Sequence, residues 1–303
     1  MTVGELLGGG WMAITRRPKE LAIWSAIQLL ISVAFTAAFI PYMTAMMQAQ
    51  QQSLTAGAPT VPTLPAGMGV FFLAYVLILV WLLMLFTAVV RASSSNGEDT
   101  FAWLRFAGDE LRLIGLGLLY IVAWIVLGTL LALLLSALIA ALALGSPGAA
   151  IVVGIVFGIA CFGVAVWLGV RMSLIGAVFV LERSFALRKG WQATKGHFWT
   201  LFLAYLVMSV AFIVLEVIIV AITSPGVFGN MASGGDPAQA IQRQQEMLAS
   251  FTSPSIGMII IWVVGTIVGT AAMVYYFGVI ATAAVSATGY SKQDLEELGS
   301  HFE

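Results

Sequence analysis

The chain has 303 residues, of which 61% are hydrophobic and 9% are charged, and its mean hydropathy is +1.03. Soluble domains carry about 25% charged residues, so this composition excludes a water-soluble globule and predicts a surface that mostly meets lipid. The net charge of −1 argues against a nucleic-acid binder, and the single cysteine, Cys161, excludes an intramolecular disulfide and a cysteine-rich metal site.

Six apolar runs are long enough to cross a bilayer, which needs roughly 20 residues per helix. In chain order they are about 20–44, 68–91, 113–143, 149–180, 198–222 and 256–287. We therefore predict an all-α polytopic membrane protein with six transmembrane helices. Runs of more than 30 residues are expected to tilt, or to continue past the bilayer as helix packed on protein. The first run is too long for a signal-peptide core, so we expect an uncleaved span.

The positive charges are concentrated in every other connection between the spans and at the two termini. Residues 45–66 contain no charged side chain and are expected to be irregular and flexible, whereas the loop 223–255 holds one arginine, Arg243. The other side holds the remaining twelve lysines and arginines: Arg16, Arg17, Lys19, Arg91, Arg105, Arg112, Arg171, Arg183, Arg188, Lys189, Lys195 and Lys292. Cations are retained in the cytoplasm during insertion, so both termini are predicted to be cytoplasmic.

A short, charged, amphipathic segment precedes each pair of spans. The three segments are 2–17, 98–112 and 182–195, and Gly10-Trp11 in the first matches Gly190-Trp191 in the third. We predict a single membrane domain, 1–303, built from three repeats of surface helix plus hairpin. The boundaries are 1–92, 93–181 and 182–290, followed by a short cytoplasmic tail, 291–303. In loop 223–255, Asp236-Pro237 predicts the start of a helix that ends near Phe251.

The most basic stretch, 171–199, reads RMSLIGAVFVLERSFALRKGWQATKGHFW. Its apolar and cationic residues from Ser184 to Thr194 separate on a helical wheel, which predicts a short helix on a membrane surface. This stretch and the repeat resemble the membrane domain of some bacterial glycerophosphodiester phosphodiesterases and of related stand-alone inner-membrane proteins. The resemblance implies a bacterial inner-membrane location.

In the two-part enzymes of that family, catalysis belongs to a separate soluble barrel with His, Glu and Asp around a metal. This sequence contains only two histidines, His197 and His301, and no soluble stretch long enough for a barrel. We therefore do not expect the family's hydrolysis here. We also expect no cofactor and no metal site, because the common catalytic and metal-binding motifs are absent.

Two arginines occupy corresponding places near the inner ends of the second and fourth spans. Arg91 and Arg171 are candidates for holding lipid phosphate, because a guanidinium suits a bidentate oxyanion. Alternatively, they pair with Glu98 and Glu182 or extend to the headgroups. The basic residues Arg183, Arg188 and Lys189 would attract anionic lipid, although the orientation of the chain alone also explains them.

Glu216 is the one ionisable residue well inside an apolar run. A charge at the bilayer centre costs at least about 2.5 kcal/mol, so this carboxyl needs a partner, a cavity or a proton. It is either an intramembrane proton or cation site, or a structural carboxyl near the outer interface.

The favoured interpretation is a non-enzymatic inner-membrane module that handles lipid or assists other membrane components. Its expected partners are membrane lipids, with anionic lipids and a membrane protein as candidates, and no nucleic acid. The alternative is a small-solute or ion-coupled transporter or channel in which Glu216 is the intramembrane site.

Overall fold

The structure is a computed structural model, and it describes residues 1–56, 68–94, 104, 108–143, 147–182, 187–223 and 256–290. Every secondary-structure element in these ranges is a helix, which confirms the all-α class. In chain order they are α1 (Val3–Thr15), α2 (Pro18–Ala56), α3 (Met68–Ser94), α4 (Gly108–Ala143), α5 (Pro147–Glu182), α6 (Leu187–Ala193), α7 (Phe198–Thr223) and α8 (Ile256–Thr288).

Six of these helices, α2, α3, α4, α5, α7 and α8, are long and apolar enough to cross a membrane. They match the six predicted runs, and the chain is a multi-pass membrane protein. Three predictions fall outside the described residues: most of the second surface segment, the helix from Asp236 and the cytoplasmic tail. The threefold repeat therefore stays a prediction.

The first two helices begin with local signals that the sequence carries. At the start of α1, the backbone N–H of Thr2 donates to Glu5 Oε2 (2.7 Å) and the backbone N–H of Glu5 donates to Thr2 Oγ1 (3.3 Å). This reciprocal capping box satisfies two backbone donors at the helix terminus. Helix α2 opens with Pro18, whose missing N–H costs nothing in the first turn.

Helix α2 continues to Ala56, so the prediction that residues 45–66 are irregular is wrong for 45–56. The reason is composition. This part is rich in Ala, Gln and Met, which are good helix formers, and it contains no glycine before the helix ends.

Helix α5 changes its surroundings along its length. Its 36 residues span about 54 Å, whereas the hydrocarbon core of a bilayer is about 30 Å thick. Large apolar side chains are exposed from Ile151 to Trp167, and the buried residues lie between Val170 and Leu181. The last part of α5 is thus packed on protein, and whether the helix tilts in the bilayer or continues past it stays a prediction. Helices α3 and α8 follow the same order, exposed first and buried later.

The chain divides into two compact units, and the first comprises Met1–Gly10, Phe86–Ala204 and Phe277–Glu303. In its core, the rings of Phe86 in α3 and Phe277 in α8 meet edge to face at 5.2 Å. Gly176 in α5 faces the same phenylalanine, since a Cβ there would lie 3.3 Å from Phe86 Cε1. Helices α5 and α8 thus both contact the ring of Phe86 in α3.

Two short helices of this unit pack at glycines. A Cβ on Gly190 of α6 would lie 2.7 Å from the Cα of Ile175, so α6 lies directly on the backbone of α5. A Cβ on Gly9 of α1 would overlap the side chain of Thr282 in α8. In both places a glycine allows a surface helix to approach the buried part of a long helix.

The second unit comprises Trp11–Leu85 and Tyr205–Tyr276. Within it, Trp81 of α3 is 3% exposed and donates its indole N–H to Gln28 Oε1 of α2, which satisfies two polar groups inside apolar helices. Further along the same helices, the ring of Phe71 lies 4.6 Å from Tyr42.

Candidate functional site

Helix α6 presents its cations to the surroundings while its glycine faces the protein. Leu187, Arg188 and Lys189 are exposed, and Gly190 is buried against α5. A short helix is therefore present at Leu187–Ala193, within the predicted segment, and residues 184–186 lie outside the described residues. Arg183 lies outside the described residues.

Glu182, at the end of α5, joins three parts of the first unit. It accepts hydrogen bonds from Lys189 Nζ of α6 (3.0 and 3.2 Å) and from the hydroxyl of Tyr290 (2.6 Å). Tyr290 reaches this place because Gly289 takes a left-handed conformation, with φ of 73°, just after α8 ends. The negative charge of Glu182 therefore has two donors.

Arg171 lies one turn after Trp167 on α5 and contacts two indole rings. Its Cζ is 5.8 Å from the ring centroid of Trp167 and 5.8 Å from that of Trp191 in α6. The two rings are nearly perpendicular, at 81°, with centroids 5.8 Å apart. Both distances are within the range of a cation–π contact.

Thr194 links Arg171 to the turn between α6 and α7. Its side chain is fully buried, and its hydroxyl donates to the Trp191 carbonyl (2.8 Å). Arg171 Nη1 donates to the same hydroxyl oxygen over a long 3.4 Å. The turn itself depends on Gly196, with φ of 88°, a conformation that suits glycine.

The positive charge of Arg171 has no carboxylate within 4.0 Å among the residues that the structure describes. Its partly buried side chain keeps a solvent-inaccessible Nε without a hydrogen-bond partner. The predicted alternative of an Arg171–Glu182 pair is not formed, because 11 residues along one helix separate the two Cα atoms by about 16 Å. Glu182 is engaged by Lys189 and Tyr290 instead.

The other predicted residues lie in different surroundings. Arg91 is 3% exposed at the end of α3, and Glu98, its predicted partner, lies outside the described residues. Glu216 is exposed on α7, seven residues before that helix ends. Within the described ranges, Glu216 makes no hydrogen bond or ion pair, and no three His, Cys, Asp or Glu side chains cluster closely enough to hold a metal.

Sequence reasoning missed two members of these clusters. Trp167 precedes Arg171 by four positions, the spacing that places two side chains on one helix face, so the signal was present. Tyr290 carries no such signal, because it reaches Glu182 from 108 positions away.

The six apolar helices define the class of the protein, a multi-pass α-helical membrane protein. No family model, no curated protein and no solved structure matches the chain.

Proposed function

We propose that the chain is a non-enzymatic module of a bacterial inner membrane that associates with phospholipid through its basic, cytoplasmic side. The observation that carries this proposal is α6, which turns Arg188 and Lys189 outward while Gly190 fixes the helix on α5. A surface helix anchored in this way holds two cations at a constant depth. Each cation near an anionic surface contributes about 1 kcal/mol of attraction.

The exposed tryptophans support the same placement. Trp199 lies in the first turn of α7 and is 70% exposed, and Trp167 on α5 is 42% exposed. Indoles are stable at the level of the lipid headgroups, where an apolar ring and a polar N–H are both accommodated. Trp167, which contacts Trp191 of α6, and Trp199 at the start of α7 both favour a headgroup region near α6 in the sequence.

The orientation rests on the distribution of cations along the sequence. Twelve of the thirteen lysines and arginines fall on one side of the six spans. Under the positive-inside rule, that side, with both termini, is cytoplasmic. The resemblance of 171–199 to the phosphodiesterase membrane domain agrees with a bacterial inner membrane, and the catalytic barrel of that family has no counterpart in these 303 residues.

The test is the lipid selectivity of the purified protein in mixed bilayers. Spin-labelled phosphatidylglycerol and phosphatidylcholine report how strongly each lipid associates with the protein surface. The double variant Arg188→Gln, Lys189→Gln is expected to lower the preference for phosphatidylglycerol severalfold, since about 1 kcal/mol is lost with Arg188 and less with Lys189, which is paired with Glu182.

The matched control is Arg243→Gln, which removes one cation predicted on the opposite side. It is expected to leave the labelled lipid of the cytoplasmic leaflet unaffected. Equal selectivity of the wild-type protein and the double variant would contradict the proposal.

A further inference from the structure

We propose that Arg171, in contact with Trp167 and Trp191, is a binding site for a phosphate group. This inference deepens the function proposed above and rests on it. Helix α6 would attract anionic lipids in general, whereas the Arg171 site would hold a single phosphate group at one defined position. The ligand chemistry is a phosphate oxyanion, supplied either by a phospholipid headgroup or by a soluble phosphate compound.

The first argument is the charge balance at the basic end of α5. A guanidinium has five N–H donors in a fork that matches two oxygens of a phosphate. Of these donors, Nη1 makes one long bond to Thr194, and Nε is inaccessible to solvent without a partner in the described residues. Glu182, the acidic residue on the same helix, is neutralised by Lys189. The positive charge of Arg171 therefore has no counter-ion among the described residues, and an anionic ligand would supply one.

The second argument is depth. Arg171 lies 20 positions after Ile151, where the exposed apolar face of α5 begins, and 20 helical residues extend about 30 Å. This distance equals the hydrocarbon thickness of a bilayer. Burial inside protein begins at Val170. Arg171 is therefore at the level where apolar chains end and phosphates begin.

The third argument is the shape of the site. The guanidinium carbon of Arg171 lies over both indole rings, 5.8 Å from each centroid, so the two rings form one side of the site. The N–H groups point along the plane of the guanidinium, and Nη2 makes no hydrogen bond within the described residues, so an oxyanion can meet the side chain at its Nη2 end. Trp191 is held by the Thr194 hydroxyl on its carbonyl, and Gly190 holds α6 on α5. Contacts within the protein thus hold the two indole rings in place without a ligand.

The depth favours the lipid as the source of the phosphate. A phospholipid beside the exposed part of α5 would place its acyl chains along Phe162 and Ile159, which are 71% and 67% exposed. Its phosphate would then meet Arg171 without leaving the headgroup layer. A soluble phosphate would have to enter that layer from water.

The experiment compares retained phospholipid in detergent-purified full-length protein by native mass spectrometry. The wild-type protein is expected to retain one phospholipid after delipidation, and Arg171→Gln is expected to bind it about 10- to 100-fold more weakly, as for lost charged hydrogen bonds. A second arm titrates inorganic phosphate and glycerol 3-phosphate into delipidated protein, followed by ³¹P NMR. Binding there that depends on Arg171 identifies a soluble source.

Equal lipid retention by wild type and Arg171→Gln, with no Arg171-dependent binding of soluble phosphate, would overturn the proposal. Arg171→Lys covers the case in which the glutamine variant does not fold. It keeps the charge but loses the fork, so weaker retention is expected and unchanged retention overturns the guanidinium site.

The double variant Arg188→Gln, Lys189→Gln distinguishes the two proposals. It is expected to keep the single retained lipid while losing the preference for anionic lipids. Unchanged lipid selectivity in the double variant, together with a retained lipid that depends on Arg171, would contradict only the first proposal. Lost selectivity in the double variant, together with equal lipid retention by wild type and Arg171→Gln, would contradict only the second.

Discussion

Two charged side chains on α5, Glu182 and Arg171, have opposite surroundings. Glu182 accepts hydrogen bonds from Lys189 and Tyr290, which tie α6 and the end of α8 to α5. Arg171 has two aromatic walls and one long hydrogen bond, with no carboxylate among the described residues. The comparison teaches that one helix can hold both a structural ion cluster and a cation without a carboxylate partner among the described residues, and we propose that this cation meets an outside ligand.

The largest effect is expected when the packing beneath both clusters is broken. Gly190→Ala would place a methyl 2.7 Å from the backbone of Ile175, and backbone cannot move as a flexible side chain does. Overpacking of this kind costs about 1–3 kcal/mol, so the variant should unfold earlier in thermal denaturation.

The control for this change is Gly8→Ala, in the middle of α1, where a Cβ meets nothing within 4 Å. It should be neutral or slightly stabilising, because alanine favours helix over glycine. Equal melting temperatures of the two variants would mean that α6 does not lie on α5 as described.

A smaller effect is expected at the structural cluster. Glu182→Gln removes a carboxylate that accepts the Tyr290 hydroxyl, and hydrogen bonds to charged groups contribute about 1.5–3 kcal/mol. Tyr290→Phe should reproduce most of the loss in the free energy of unfolding. Lys189→Gln should cost less than about 1 kcal/mol, because Lys189 is 68% exposed and exposed ion pairs contribute little. A larger loss in the free energy of unfolding for Lys189→Gln than for Tyr290→Phe would contradict this ranking.

A local pH effect is expected at the start of α1. The backbone N–H of Thr2, followed by the N-terminal ammonium group, lowers the pKa of Glu5 below its usual 4.5. A lowered pKa means that the charged form stabilises the helix start, so this contribution is complete above pH 4.5 and is lost as the pH falls through the lowered value.

Amide hydrogen exchange in the first turn of α1 measures this effect. Exchange should accelerate in the wild-type protein below pH 4.5, after correction for intrinsic rates. Glu5→Gln should show the same protection at all pH values. Acid-dependent loss of protection in that variant would assign the effect to another group.

The smallest effect is expected at Glu216. Its side chain is exposed on α7. Glu216→Gln should leave lipid selectivity and thermal stability unchanged, because no hydrogen bond to this carboxyl exists within the described residues. Proton-coupled flux in liposomes that disappears in the variant would favour the transporter alternative instead.

The sequence predicts the spans well because lipid imposes one dominant requirement, about 20 apolar residues per crossing. The sequence also indicates Arg171 as a candidate site residue, because a cation at the end of an apolar run requires a polar or anionic partner. It does not indicate which anion each cation meets. Lys189 and Tyr290 reach Glu182 through tertiary packing, and the Arg171–Thr194 contact joins residues 23 apart. Hydropathy carries no information about such contacts.

The extent of α2 shows a different kind of failure. An uncharged stretch rich in glutamine and alanine resembles a loop in composition, yet its helix propensity is high up to Ala56. Polarity marks the end of a span and not the end of a helix.

The most direct measurement is a density map of the full chain in a phospholipid nanodisc. A phosphate within hydrogen-bond distance of Arg171 Nη2, with acyl density along the exposed face of α5, is the expected result. Density that fills this place with a protein carboxylate, or with water alone, would contradict the account.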